Sequence, residues 1–399
     1  MQSLLALLKV ALVTPLAVTA LLFFAALLVA EAAVRLLRIP RIAALVVAGA
    51  LIGALRRSGE AAALTPVPSV LLEALAMVLL FEVGQRMPLG WLRRNPWLVA
   101  ASLGESAITF IAIYAVLALG FAIPLVDCAF VAVIAMTASP IVVMTVTKDL
   151  RARGQVAERS LLYSTLSSVY AVLLVQLFLA GYRAAAHVDI TSVVQPVYQL
   201  AGSFLLGALA AAALRLYAMI THARGALLTI GIICCCVLLY ADAPPLGLSP
   251  ILSALFFGLI VRGTDRTHSV LSHETSEIGA VLTFAYFILL GASLAWLDSW
   301  MLAGVAIAVA AIRLLAKVGA NAAFASPSAL SPAKGALVGV AAAPLSSLAL
   351  MLTASVAQQP ELKHAAEISG AVVLLMAILG PILTELALRR AGEPTRDDA

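Results

Sequence analysis

The sequence predicts an all-α polytopic membrane protein, and two observations predict it. Hydrophobic residues make up 63% of the 399 residues and charged residues only 11%, whereas a soluble domain has about 25% charged residues. The apolar residues also come in runs of about 20, which is the length that a helix needs to cross the hydrocarbon core. A soluble globule of this size could not keep so much apolar surface from water.

The apolar runs divide the chain into 13 expected spans. The short separators between them hold prolines, glycines and charged residues, and prolines at span edges remove the N–H where its loss costs least. The spans are expected at residues 12–37, 40–55, 67–85, 96–120, 124–147, 157–181, 191–217, 225–241, 246–261, 275–296, 299–322, 335–357 and 365–388.

The distribution of Lys and Arg predicts the orientation of these spans. With the N-terminus outside, the inner loops hold 18 of the 25 basic residues, the outer loops hold five, and two lie within a span. Basic residues are enriched in cytoplasmic loops. We therefore expect an integral protein of a bacterial inner membrane, with its N-terminus outside and its C-terminus in the cytoplasm. Because the net charge of +5 is spread over loops, no nucleic-acid partner is expected.

Three ionisable residues are expected deep in the membrane. Because a charge is costly there, each of them is a candidate functional residue. Glu105 lies about 15 Å along the fourth span, near the midplane. It is interpreted either as a proton carrier or as a structural residue paired with Lys317 or with backbone donors. Arg313 and Lys317 share one face of the eleventh span because they are four residues apart. Lys317 is a candidate balancing charge, and Arg313 is interpreted as a snorkelling or structural residue.

Two spans carry a proline beside hydroxyl side chains near mid-depth. The fifth span contains Thr137, Ser139 and Pro140, and the twelfth contains Pro344, Ser346 and Ser347. Proline removes a helical hydrogen bond, and unpaired backbone at this depth persists only inside protein or beside a water-filled cavity. A simple kink explains either proline alone, but a pair of interrupted spans indicates a transport site. Spans four to six and eleven to thirteen each hold the break in the middle helix, which predicts an inverted repeat.

The sixth span carries polar residues along one face of the helix. Ser160, Ser164, Ser167 and Ser168 recur at helical spacing. Two interpretations remain open: the stripe faces a cavity, or the serines are small packing residues between membrane helices.

Several segments of the chain are similar to the helices of one known family. "RLLRIPRIAALVVAGALIGAL" is similar to the family's second helix, and "LLFEVGQRMPLGWLRRNP" to the segment that follows. "TASPIVV" and "GVAAAPLSSLALML" resemble its two broken helices, "RLLAKVGA" the helix whose basic residue falls on Lys317, and "LGPILTELALRRAG" the last span. By the order and spacing of these motifs, the chain resembles the monovalent cation:proton antiporter-2 family, which has the sodium/hydrogen exchanger fold, over nearly its whole length.

The resemblance implies a single transmembrane domain with inverted repeats, two crossed broken helices and a homodimeric assembly. Core helices at about 96–181 and 299–388 would move against scaffold helices at about 12–85 and 191–296. It also implies Na⁺ or K⁺ and H⁺ as partners, and it implies no cofactor.

The chain departs from the family pattern at its usual ion-binding pair. Family members carry Asn-Asp or Asp-Asp in the sixth span, where this chain has Ser167 and Ser168, and an Arg follows the second break where this chain has Leu345. A hydroxyl does not take up a proton near neutral pH. Glu105 is therefore the expected carrier and Lys317 its partner.

Three functions are considered. The first is antiport of Na⁺ or K⁺ for protons. The second is transport of another solute, such as an organic anion, with Lys317 and helix N-termini as ligands. The third is a degenerate, non-transporting membrane protein with a binding or regulatory role. An enzyme and a structural metal site are not expected, since the sequence has no catalytic or metal-ligating motif.

Overall fold

The computed structural model describes residues 15–37, 39–57, 69–87, 95–184, 191–222, 225–264, 275–293, 300–328, 330–345 and 347–394. Within these ranges the chain is helical and contains no β-strand, so the prediction of an all-α protein is confirmed. Six helical segments there are long and apolar enough to cross a membrane, among them Leu125–Asp149 and Trp300–Ala323.

The described ranges contain fifteen α-helices, and a π-helical turn, Val116–Gly120, extends the fourth. The number of membrane crossings, expected to be 13, stays a prediction. The helices are α1 Pro15–Leu37, α2 Arg41–Arg57, α3 Ser69–Arg86, α4 Pro96–Ala115, α5 Leu125–Met136, α6 Pro140–Asp149, α7 Gln155–Ala184, α8 Thr191–Thr221, α9 Ala226–Asp242, α10 Pro250–Thr264, α11 Thr275–Ser293, α12 Trp300–Ala323, α13 Pro332–Ala341, α14 Ser347–Ala357 and α15 Lys363–Ala391.

Two expected spans are each interrupted in the middle, as the prolines predict. Helix α5 ends at Met136 and α6 begins at Pro140. Pro140 stands in the first turn of α6, where its missing N–H leaves no hydrogen bond unmade. Helix α13 ends at Ala341, shortly before Pro344. Because a proline disfavours helical geometry in the residue before it, the helix stops there and α14 begins anew.

Close backbone contacts join helices α2 and α11. A methyl group on Gly49 would overlap the backbone of Ile288, and one on Gly291 would overlap that of Val46. Helices α3 and α10 pack in the same way. Small residues at such positions let membrane helices approach closely and gain dispersion contacts.

The interrupted segments lie among α4, α7, α12 and α15. Helix α12 packs against α4, α13 and α15, while α7 packs against α5, α6 and α13. This group meets the other helices where α15 contacts α2 and where α6 contacts α3. An ion pair between Lys148 on α6 and Glu82 on α3 joins these two helices. The division into mobile core and scaffold stays a prediction.

Candidate functional site

At the first interruption, backbone N–H and C=O groups lack helical partners, and nearby side chains form hydrogen bonds with them. Thr137 is extended, with φ −62° and ψ 164°, and its hydroxyl donates to the Ile134 carbonyl at 2.8 Å. Ser139 caps helix α6, since its Oγ accepts from the Val142 N–H at 3.3 Å. A serine cap satisfies one of the free N–H groups of the first turn.

The two interrupted segments cross and bind each other directly. The Ser139 N–H donates to the Pro344 carbonyl at 2.7 Å. Helix α15 supports the second break from behind: Gly380 lies against the Pro344 backbone, and the Thr384 hydroxyl donates to the Ala341 carbonyl at 2.9 Å. Of the two serines predicted here, Ser346 lies outside the described residues, as does the side chain of Ser347.

Helix α7 brings its serine pair to the first interruption. Ser167 Oγ accepts from the Ala138 N–H at 3.1 Å. The Ser168 hydroxyl lies 3.2 Å from the Ala138 carbonyl and 2.9 Å from that of Ser164. Both backbone polar groups of Ala138, its N–H and its C=O, therefore face helix α7. In this structure both serines bind the unwound backbone at the first interruption. The choice between a cavity and close helix packing for the whole stripe stays a prediction.

Arg313 lies at the crossing, fully buried. Its Nε donates to the Ala135 carbonyl at 2.6 Å and its Nη2 to that of Thr137 at 2.5 Å. From the second break, Nη1 donates to the Ala343 carbonyl at 2.5 Å, and the Ala342 carbonyl lies 3.5 Å from Nη2. Of the two interpretations of Arg313, these contacts fit the structural one and not snorkelling, because the guanidinium points into the protein and binds carbonyls of both interrupted segments.

A buried ion pair lies one helical turn along α12 from Arg313. Lys317 Nζ donates to Glu105 Oε1 at 2.6 Å, and both side chains are only 1% exposed. Two hydroxyls complete the carboxylate's surroundings: Thr109 donates to Oε1 at 3.3 Å and Ser106 to Oε2 at 3.4 Å. The structure thus brings together the two residues that the sequence singled out on different spans.

Glu105 differs in position from the other buried carboxylates of the described residues. Asp127 lies in the first turn of α5, and Glu393 follows the last turn of α15. Glu105, by contrast, is the tenth residue of the 20-residue α4. The described residues contain no group of three metal-ligating side chains. Glu105 is therefore the buried carboxylate of the described residues that lies in the middle of a helix.

The sequence pointed to Glu105, Lys317 and both breaks, but it did not identify the contacts of Arg313. The available signal was its spacing of four residues from Lys317, which predicts that both cations lie on one helix face. The carbonyls that accept hydrogen bonds from Arg313 lie 30, 176 and 178 positions away along the chain. The sequence pattern around Arg313 could not identify such distant partners.

A family model described as the transmembrane domain of sodium/hydrogen exchangers matches residues 19–390. The search of curated proteins found no match.

Two solved structures share the fold, both of the sodium proton antiporter MjNhaP1 from Methanocaldococcus jannaschii. The structure at pH 8 matches with a TM-score of 0.67 and 16% identity, covering 94% of this chain and 96% of that one. The electron-microscopy structure matches with a TM-score of 0.70 and 18% identity, covering 95% and 98%.

Proposed function

This chain belongs to the sodium/hydrogen exchanger family, and we propose that it exchanges a monovalent cation, Na⁺ or K⁺, for protons across the membrane. It is an integral membrane protein, and its family and fold are those of transporters rather than enzymes. The observation that carries the proposal is the buried pair of Glu105 and Lys317 beside the crossed interruptions. The departures at Ser167, Ser168 and Leu345 support a divergent member of the antiporter-2 branch.

An antiporter needs a site whose occupants exclude one another. Glu105 supplies one negative charge, and in this structure the Lys317 ammonium neutralises it. A proton or a metal cation would neutralise it equally well and would displace the ammonium. An ammonium left buried without its counter-charge costs about 3–5 kcal/mol, so the exchange requires Lys317 to lose its proton or to reach water when the pair opens.

The hydroxyls around the carboxylate suit this exchange. Ser106 and Thr109 lie within hydrogen-bond distance of Glu105, and each hydroxyl can donate or accept. They can donate to the carboxylate while it is ionised, and their oxygens can ligate a cation bound there. The lysine on α12 and the carboxylate on α4 come from different helices, so a small shift between these helices would open the pair.

We propose that the motion of a core exposes the pair to each side of the membrane in turn, and that a small shift between α4 and α12 within the core opens it. Helices α4 to α7 and α12 to α15 would move as a core against the remaining helices in a homodimer, with the N-terminus outside and in a bacterial inner membrane. The ion pair between Lys148 and Glu82 lies where α6 meets α3, and it would break during such a motion.

The pairing of the buried cations weighs against an organic anion at this place. Lys317 is neutralised by Glu105, and Arg313 is bound to carbonyls of both breaks. Neither cation offers an anion a free charge without first losing these contacts.

The test is ion-driven proton flux in proteoliposomes that contain a trapped pH indicator. Gradients of Na⁺ and of K⁺ are imposed on wild type, Glu105→Gln and Glu367→Gln. The last is a matched control, since Glu367 is 51% exposed at the start of α15. We expect flux in wild type and in the control, and none in Glu105→Gln above protein-free liposomes.

Each other outcome has a defined meaning. Full flux in correctly folded Glu105→Gln removes Glu105 from the mechanism. A wild-type response to an anion gradient but to neither cation selects the organic-anion alternative. No wild-type response to any ion selects the non-transporting alternative.

A further inference from the structure

We propose that the hydroxyls of Ser102 on α4 and Tyr170 on α7 form, together with the Glu105 carboxylate, the coordination pocket of the transported monovalent cation. This inference rests on the proposed function and adds the ligands that hold the cation once the ammonium has left the carboxylate. It extends the site beyond Ser106 and Thr109, whose hydroxyls bind the carboxylate in this structure.

Helix α4 carries a buried polar face around Glu105. Ser102, Glu105, Ser106 and Thr109 follow the i, i+3, i+4, i+7 spacing that places side chains on one face of a helix. Each of these residues is at most 2% exposed. Ser106 and Thr109 donate to the carboxylate, and Ser102 lies about one turn nearer the start of α4. This face therefore surrounds one buried charge with neutral oxygens.

Ser102 differs from other buried hydroxyl side chains in its hydrogen bonding. The hydroxyls of Thr145 and Thr165 each donate to a carbonyl of the preceding turn of their own helix. Ser102 is fully buried, and its Oγ makes no hydrogen bond of ordinary geometry with any described residue. Because buried polar atoms are almost always satisfied, such an atom points to a ligand that completes its contacts.

Tyr170 faces Ser102 where α7 packs against α4. Its hydroxyl lies close to that of Ser102 and within electrostatic range of the Glu105 carboxylate. Within the part of the chain that the structure describes, this buried hydroxyl also forms no hydrogen bond of ordinary geometry. A hydroxyl oxygen has two lone pairs, so one cation between Ser102 and Tyr170 would be ligated by both oxygens.

The two oxygens of the Glu105 carboxylate differ in their contacts. Oε1 accepts from Lys317 at 2.6 Å and from Thr109 at 3.3 Å. Oε2 accepts from Ser106 at the longer distance of 3.4 Å, and this leaves it the more accessible oxygen for a cation. Neutral protein oxygens can replace the hydration shell of an alkali cation, and the single charge of Glu105 balances one monovalent cation.

The first experiment measures cation affinity separately from transport. Na⁺ and K⁺ are titrated calorimetrically into purified wild type, Ser102→Ala, Tyr170→Phe and Ser369→Ala. Ser369 is the matched control, because its hydroxyl is equally buried and equally without a hydrogen bond among the described residues but lies on α15. We expect Ser102→Ala and Tyr170→Phe to bind the cation about tenfold more weakly, and the control to bind it like wild type.

Flux measurements on the same variants separate ligation from a structural role. Loss of a cation ligand should raise KM for the cation and leave the maximal rate unchanged, whereas a lower maximal rate at unchanged KM would overturn the assignment. Unaltered affinity in both variants, with wild type transporting, would overturn this inference and leave the proposed function standing. Weakened binding in both variants, with wild type transporting no ion, would support the pocket and overturn the proposed function.

The second experiment uses wild type only, so the inference stays testable if a variant does not fold. Crystals are soaked with thallous ion, a heavy monovalent cation, and its position is read from anomalous scattering. The expected peak lies among Glu105 Oε2, Ser102 Oγ and the Tyr170 hydroxyl. A peak elsewhere, or an ordered water at this place without anomalous signal, would overturn the proposal.

Discussion

Removing one partner of the buried ion pair should destabilise the protein strongly, and removing both should not. Glu105→Gln keeps the size of the side chain and one oxygen for Ser106 or Thr109, but it leaves the Lys317 ammonium without its counter-charge 2.6 Å away. The double variant Glu105→Gln/Lys317→Met removes both charges and keeps most of the volume.

The magnitude follows from burial. Both side chains are only 1% exposed, and breaking a buried pair by removing one partner costs about 3–5 kcal/mol because the other charge stays desolvated. Replacing both partners by neutral groups of similar volume is often close to neutral. The double variant should therefore be more stable than either single variant, so the two effects should be strongly non-additive.

The assay is reversible unfolding in mixed micelles, followed for wild type, both single variants and the double variant. Lys148→Met is the matched control, because its partner Glu82 lies on another helix but the two side chains are 33% and 26% exposed. A partly exposed pair contributes about 0–1 kcal/mol. A Glu105→Gln variant as stable as Lys148→Met would refute the claim that the Glu105–Lys317 pair is shielded from water and that its two charges interact strongly.

Three further changes test the packing around the site. Gly380→Ala should lower stability by about 1–3 kcal/mol through overpacking, since the added methyl would overlap Pro344; an unchanged unfolding midpoint would contradict the close approach. Gly291→Ala should do the same where α11 meets Val46, and an unaltered thermal stability would refute that contact. Glu393→Gln should cost about 1 kcal/mol, because its two carboxylate oxygens accept from N–H groups in the first turn of α7; faster hydrogen exchange at that turn is the expected signature, and unchanged exchange would count against the cap.

The features that the sequence predicted are those that depend on local chemistry. Pro140 and Pro344 predicted both interruptions because a proline cannot continue a helix, whatever surrounds it. Glu105 and Lys317 predicted each other because isolated charges at membrane depth need partners.

The features that the sequence did not predict depend on how distant segments pack. Arg313 binds carbonyls of Ala135, Thr137 and Ala343, and a free carbonyl has no signature in the residue that carries it. Ser167 and Ser168 likewise bind the backbone of Ala138, a distant partner that the helical spacing of the serines could not identify.

The most direct measurement is calorimetric titration of the purified protein with Na⁺ and K⁺ in two buffers of different ionisation enthalpy. If binding of the cation releases a proton, from the Glu105 carboxyl or from the Lys317 ammonium that it displaces, the measured heat depends on the ionisation enthalpy of the buffer. The heat of binding should disappear in Glu105→Gln. Cation binding that persists in Glu105→Gln, or that releases no proton in wild type, would contradict the account.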